Sequence, residues 1–269
     1  MPTIDLGPLG AVLSPAEPGF AATAGRLERL GYSTIWLTGG PMTSLAQVTD
    51  AVRATSTATI ATGIIPVDSF PAADVAALYT ELEAAAPGRF VAGLGGAHGA
   101  DPLTTLHAYL DDLDAVVPRE RRVMAALGPK MLQLARDRAS GAFPVLVTPE
   151  YVGRAREQLG PDTTLAVEQL AVLETDPERA RALARGPLGF LGQVPAYQAS
   201  FRRMGFADRD IAALGDALVD GLVVWGDGAA IAGRVAALRE AGADHVAISI
   251  VAEGDPTLDQ WEAVATALT

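Results

Sequence analysis

Four glycines and a histidine crowd residues 89–99, RFVAGLGGAHG: Gly93, Gly95, Gly96 and Gly99, with His98 among them. Glycine lets backbone approach a flat ring or an anion with no side chain between, and it also supplies the positive φ of a tight turn. Both readings stand at this point. The dinucleotide fingerprint G-x-G-x-x-G does not: counted from Gly93 it needs glycine at position 98 and meets His98. Two other stretches carry a second kind of chemistry. In AALGPK, residues Ala126, Leu127, Gly128 and Pro129 lead into a helical pattern, and in TPE Thr148 precedes Pro149 and Glu150. Threonine as a cap and proline at the first helical position mark helix starts, whose free N–H groups bind phosphate. Lys130, the single lysine, adjoins the first of these and is the one amine a Schiff-base mechanism could use.

The remaining titratable groups narrow the chemistry. His98 is the candidate acid–base residue, His107 in TTLHAYLDDLD reads as a helix-surface residue, and His245 reads as structural. No histidine pair has metal-ligand spacing and no G-x-S-x-G elbow occurs, so neither a metal nor a serine nucleophile is expected. Acids at the ends of apolar runs are limited to Asp68, Glu150 and Glu174, a poor basis for glycoside hydrolysis. A site poor in acids and bases but rich in backbone donors suits an organic cofactor that brings its own chemistry. The chain sets 20 basic against 32 acidic residues, a net charge of −12, which opposes binding to nucleic acid or an anionic membrane. It has no cysteine, excluding disulfides and thiolate catalysis. The start, MPTIDLGPLG, lacks a basic segment followed by an apolar one, and no apolar stretch is long enough to span a bilayer, so a cytoplasmic protein is expected.

These residues need elements to position them. Eight apolar runs are legible: GAVL (10–13), STIWLT (33–38), ATIATGI (58–64), RFVAGLG (89–95), RVMAAL (122–127), FPVLV (143–147), TLAVEQLAVL (164–173) and HVAISIV (245–251). Segments of helical period separate them. Near-continuous apolar strands alternating with helices predict a covered parallel sheet, and eight of them match a (β/α)8 TIM barrel; an open doubly wound sheet is the other possibility. In a barrel the functional residues sit at strand C-termini, where the glycine stretch, Thr38 and both helix starts fall. Residues 174–244 hold about three helical segments between strands seven and eight, a helical insertion expected to cover the mouth. Asp176 is an expected N-cap with Pro177 after it, and Gly31 and Gly242 are expected C-terminal caps. A single domain over 1–269 is expected.

Seven segments in this order resemble the luciferase-like monooxygenase superfamily, in particular its branch that uses the deazaflavin coenzyme F420: LGYSTIWL, ATGII, PGRFVAGLGGAHG, AALGPKMLQLARDRASGAFPVLVTPE, RRMGF, LVDGLVVWGD and AGADHVAISI. The resemblance covers nearly the whole chain. It implies a TIM barrel with a late insertion and an oxidoreductase moving hydride between reduced deazaflavin and a small organic substrate. Alternatives are an FMN-dependent monooxygenase and a non-catalytic deazaflavin carrier. It implies that Gly63, Ile64 and Ile65 form a bulge backing the ring, often with a cis peptide. By the same likeness Gly95, Gly96, Ala97 and His98 line the ring or its ribityl chain, while Ala126 to Pro129 and Thr148 to Glu150 hold the phosphate. His98, Thr38 and Glu150 are the polar groups assigned to catalysis. A homodimer is implied through the alanine-rich segments 45–54 and 72–86. The chain departs from its relatives after the second run, where they carry an acid or an Asp-His pair and this sequence reads WLTGGP. The proton donor is therefore left without a residue.

Overall fold

The computed structural model describes residues 4–268; positions 1–3 and 269, which belong to the N-terminal stretch and domain span read above, lie outside the described residues. Strand β1 (Leu9–Leu13) and helix α1 (Phe20–Arg29) are followed by β2 (Thr34–Thr38), α2 (Ala46–Ala54), β3 (Thr59–Gly63), the two-residue β4 (Ile65–Pro66) and α3 (Ala72–Ala85). Then come β5 (Phe90–Gly95), α4 (Pro102–Leu113), β6 (Arg122–Met124), α5 (Pro129–Arg138), β7 (Gly141–Ala142), α6 (Pro149–Leu159) and β8 (Thr164–Val172). The chain ends with α7 (Pro177–Leu191), α8 (Pro195–Arg203), α9 (Asp208–Ala213), α10 (Asp216–Leu222), β9 (Val223–Trp225), α11 (Gly228–Glu240), β10 (His245–Ile250) and α12 (Leu258–Leu268). All pairings are parallel, and β10 bonds to both β1 and β8, which closes a barrel of β1, β2, β3, β5, β6, β7, β8 and β10. The open sheet is thereby excluded.

Period-two alternation sorts each strand into an inner and an outer face. Val12, Trp36, Ala61, Val91, Val123, Phe143, Ala166 and Ala247 meet inside the barrel, while Leu13, Leu37, Ile60, Ala92 and Ile248 face the helices. Trp36 and Phe143 fill the centre, stacked with ring centroids 3.9 Å apart and planes within 7°. Beneath them Trp36 Nε1 donates to His245 Nε2 at 3.2 Å, and His245 Nδ1 lies 2.9 Å from the Gly7 carbonyl. That arrangement fixes a neutral ring, and burial pushes the His245 pKa down to about 4. His245 is thus structural. Arg89, which opens the glycine stretch, belongs to the same lower rim, where it donates to the Ala58 and Thr55 carbonyls.

Three expectations are corrected. FPVLV is not a strand: β7 ends at Ala142, Pro144 has no N–H to give, and Leu146 turns left-handed at φ +55°. Only a bridge from Val145 to Glu168 continues the pairing. RVMAAL stops after three residues as β6. The insertion holds five helices and a short strand rather than three helices, with β9 pairing beyond β7 on the far end of β8. Leu170 and Val172 of β8 pack against Ala180, Ala184 and Leu188 of α7, Phe201 of α8 and Leu218 of α10, so the insertion does cover one side of the mouth. An Arg181–Asp220 ion pair at 2.6 Å and a Trp225 Nε1 bond to Asp220 at 2.8 Å join α7, α10 and β9. The expected caps form, with Asp176 accepting from the Arg179 N–H at 2.9 Å and positive φ at Gly31 and Gly242. Among the described residues no helix is long and apolar enough to cross a membrane.

Phe143→Ala removes half of the central stack and is expected to cost about 3–5 kcal/mol in urea unfolding, whereas a loss under about 1 kcal/mol would contradict the central role given to the pair.

A candidate active site at the barrel mouth

Strand β3 stops at Gly63, the peptide joining Gly63 to Ile64 is cis, and the chain resumes as β4 against Leu94 and Gly95 of β5. The surrounding glycines make room for this bulge. A Cβ on Gly39 would fall 1.5 Å from the Ile64 carbonyl oxygen, and one on Gly93 would fall 1.8 Å from the Thr62 carbonyl oxygen and 3.3 Å from Ile64 Cγ2. At Gly95 it would meet Ile64 Cδ1 at 3.3 Å, and at Gly96 the Pro66 Cα at 3.2 Å. Gly96 alone in the stretch has a positive φ, +73°. The turn reading holds at Gly96, while Gly93 and Gly95 make room for the protein's own bulge. Thr62 locks it from outside, its hydroxyl donating to the Gly93 carbonyl at 3.0 Å and accepting the Gly93 N–H at 2.9 Å.

Above the Trp36–Phe143 layer the barrel is open. Val12, Trp36, Ala61, Val91, Val123 and Ala247 are buried. One step higher, Ser14, Thr38, Ile64, Ala125, Val145, Glu168, Ser249 and Val251 all keep accessible surface. That contrast marks a recess with an aromatic floor and a wall of four apolar and four polar residues.

Glu168 is the acid in this wall. It lies on β8 beside Ala247 of β10 and Val145, two residues beyond the inward-facing Ala166, and its N–H donates to the Pro144 carbonyl at 3.0 Å. Burial raises its pKa to about 7, with the Ser249 hydroxyl pulling the other way. Tyr197 of α8 stands near enough for the Glu168 charge to add to the rise that burial causes in its own phenol. Sequence reading passed over Glu168, yet a signal was present: a lone acid inside TLAVEQLAVL, on the alternating face of Ala166.

The residues singled out from sequence divide into two groups. Thr38 pairs with Gly63 across β2 and β3, half-buried, its hydroxyl donating to the Leu13 carbonyl at 3.4 Å. Gly63 and Ile64 are half-exposed beside it, Ile65 is buried, and Gly95 to Ala97 follow on the next strand end. His98 sits on the rim, with Nδ1 3.0 Å and its N–H 2.8 Å from one oxygen of Asp68. Around the second group, Gly128 precedes Pro129 at the start of α5, and Thr148 caps α6 by accepting the Tyr151 N–H at 3.3 Å. The Tyr151 hydroxyl donates to the Ala126 carbonyl at 3.0 Å, tying the two helix starts together. Arg203 of α8 donates to the Leu127 carbonyl at 3.1 Å, a cation that RRMGF contained but whose destination the sequence did not disclose. Glu150 follows Pro149 in the first turn of α6, exposed; its own N–H, the Thr148 hydroxyl, and then Arg154 and Arg234 hold its pKa below the usual range. Lys130 is not part of either group: it lies in an outer groove between α4 and α5 with His107 and Asp137, which removes the Schiff-base reading and its contribution to a phosphate site.

Comparison of the folded chain with solved structures finds three informative likenesses. An F420-dependent secondary alcohol dehydrogenase in complex with an F420-acetone adduct superposes with TM-score 0.77 at 13% identity, over 97% of this chain and 99% of that one. The coenzyme F420 dependent tetrahydromethanopterin reductase from Methanopyrus kandleri gives 0.70 at 13%, over 97% of both. The oxygenating constituent of 3,6-diketocamphane monooxygenase from Pseudomonas putida, in complex with FMN, gives 0.67 at 13%, over 97% and 96%. The chain shares the barrel fold of these three proteins. No protein-family model and no curated protein matches the chain.

In this barrel the bulge tolerates no Cβ at Gly39 but leaves Gly40 with nothing within 4 Å. Gly39→Ala is expected to cost more than about 2 kcal/mol or prevent folding, while Gly40→Ala stays within about 0.5 kcal/mol; equal melting temperatures for the two would contradict the packing.

Proposed function

We propose that the protein is an oxidoreductase that holds coenzyme F420 in the mouth hollow and transfers hydride between the deazaflavin and a small organic substrate. The observations that support the reading are the partly accessible Thr38, Ile64, Ala125 and Glu168 above the Trp36–Phe143 floor, and the two helix starts joined by Tyr151 and approached by Arg203. A flat ring fits against the Ile64 side chain, beside Gly63, Gly95 and Gly96, which carry none. The phosphate end fits the helix starts at Gly128 to Pro129 and Thr148 to Glu150, where the two prolines themselves give no N–H, with Arg203 close enough that a Cβ on Gly128 would lie 3.5 Å from its Nη2. When bound, the deazaflavin gives or accepts hydride at its C5. The chain's own residues place the ring, exclude water from one side through the Trp36–Phe143 floor, and leave the other side open to substrate. Ala97 and His98 border the ring's outer edge in this reading, with Thr38 and Glu150 as further polar contributors.

The second reading is FMN in the same place, favoured by the FMN-bound neighbour of the same fold. Association of two copies through α2 and α3 completes the proposal; these helices flank an open groove of about 660 Å³ bordered by Thr49, Arg53, Asp74 and Glu81. Light scattering at micromolar concentration should give the dimer mass, and a monomer mass would remove this part.

Fluorescence titration with oxidised F420 should give a Kd below about 100 μM, and Arg203→Ala should weaken it about tenfold, equivalent to about 1.4 kcal/mol. FMN binding tighter than F420 would favour the second reading. Binding of neither by folded protein would overturn both.

A further inference from the structure

We propose that Glu168 is the acid of the hollow, giving its proton to the oxygen of an uncharged ketone or aldehyde while the carbonyl carbon takes up hydride. The inference rests on the hydride-transfer reading above and adds to it the missing proton donor and the substrate class. Its ground is placement. Glu168 is on the inward face of β8, two residues beyond the buried Ala166 and paired with the buried Ala247 of β10, and it keeps accessible surface. The polar group that shifts it is Ser249 of β10, its own charge reaches Tyr197 of α8, and no cation is among the groups that shift it. The other mouth acids do not compete: Asp68 accepts both bonds from His98 on the rim, where the His98 side chain is 69% exposed, and Glu150 is held ionised by its cap.

The environment also decides the form of the group. A carboxyl raised to about 7 keeps about half its protons at neutrality, a pKa matched to general acid work at that pH. Apolar Ile64, Val145 and Val251 with an acid that has no counter-cation disfavour an anionic substrate, so a neutral carbonyl compound is the match. In the step, the hydride pair forms the new C–H bond, and the carbonyl π pair takes the Glu168 proton as the new O–H bond. Reduced deazaflavin, the co-reactant, is left oxidised by two electrons. Glu168 is left as carboxylate and recovers its proton from water through the open mouth. The reverse direction uses the carboxylate as base.

The test combines three measurements on the full chain. In apoprotein with 13C-labelled glutamate, NMR titration should show one carboxyl with a midpoint of about 7, absent in E168Q. Because that pKa is raised above the unfolded value, stability is lost as pH rises through about 7. E168Q should therefore melt above the wild type at pH 8, with the gap closing as pH falls toward 4.5. With reduced F420 and a panel of small ketones and aldehydes, the wild-type reduction rate should fall as pH rises through about 7. E168Q should lose about 100-fold in kcat, E168D should recover part of it, and F420 binding measured separately should be unchanged. The proposal is overturned if E168Q keeps activity within about threefold, if every glutamate titrates in the ordinary range, or if the wild type binds F420 and reduces none of the panel. Failure to bind F420 or FMN at all appears in the separate titration, and overturns the cofactor reading and this step together.

Discussion

The approach of the Ile64 carbonyl to Gly39 sets the geometry of the barrel mouth. Two strand ends come so close that a single methyl group at either Gly39 or Gly93 would strike backbone. Glycine is required there because the neighbour is main chain, which has less freedom to yield than a side-chain tip. Seating the bulge turns β3 outward, lets β4 pair with β5, and leaves Ile64 half-exposed above the Trp36–Phe143 floor. The hollow is the space that this packing leaves open.

The second constraint is the left-handed turn at Leu146. It ends strand pairing early on one side of β8, so that Glu168 meets Val145 through a single bridge rather than a continuous ladder. A carboxyl placed on this inward face is removed from bulk water yet remains reachable from the mouth. Burial and access together produce a proton-holding group at the position where the sequence had offered none. The same insertion that brings Tyr197 toward Glu168 brings Arg203 to the start of α5, so one helix, α8, reaches both the Glu168 wall and that helix start.

Seven of the eight barrel strands were legible because their apolar runs are long enough to be distinguished from helix, and the caps at Asp176, Thr148, Gly31 and Gly242 were legible because capping is local chemistry. FPVLV misled for a physical reason: its composition is that of a strand, but Pro144 and the backbone turn at Leu146 are decided by tertiary packing. The insertion was undercounted because small residues in ARALARGPLGFLG blur its helix boundaries. The glycines announced crowding without naming what crowds them, since the partner, Ile64, lies some thirty residues away. Glu168 went unread because an acid within an apolar strand is meaningful only once the direction of that face is known.

In the proposed function one bound molecule spans the bulge and the paired helix starts. Amide hydrogen exchange with and without saturating oxidised F420 measures this directly. Added protection at residues 63–66, 94–97, 127–131 and 148–151, within one binding isotherm, is the predicted result. Protection confined to the outer groove between α2 and α3, or to neither region while the ligand is bound, would contradict it.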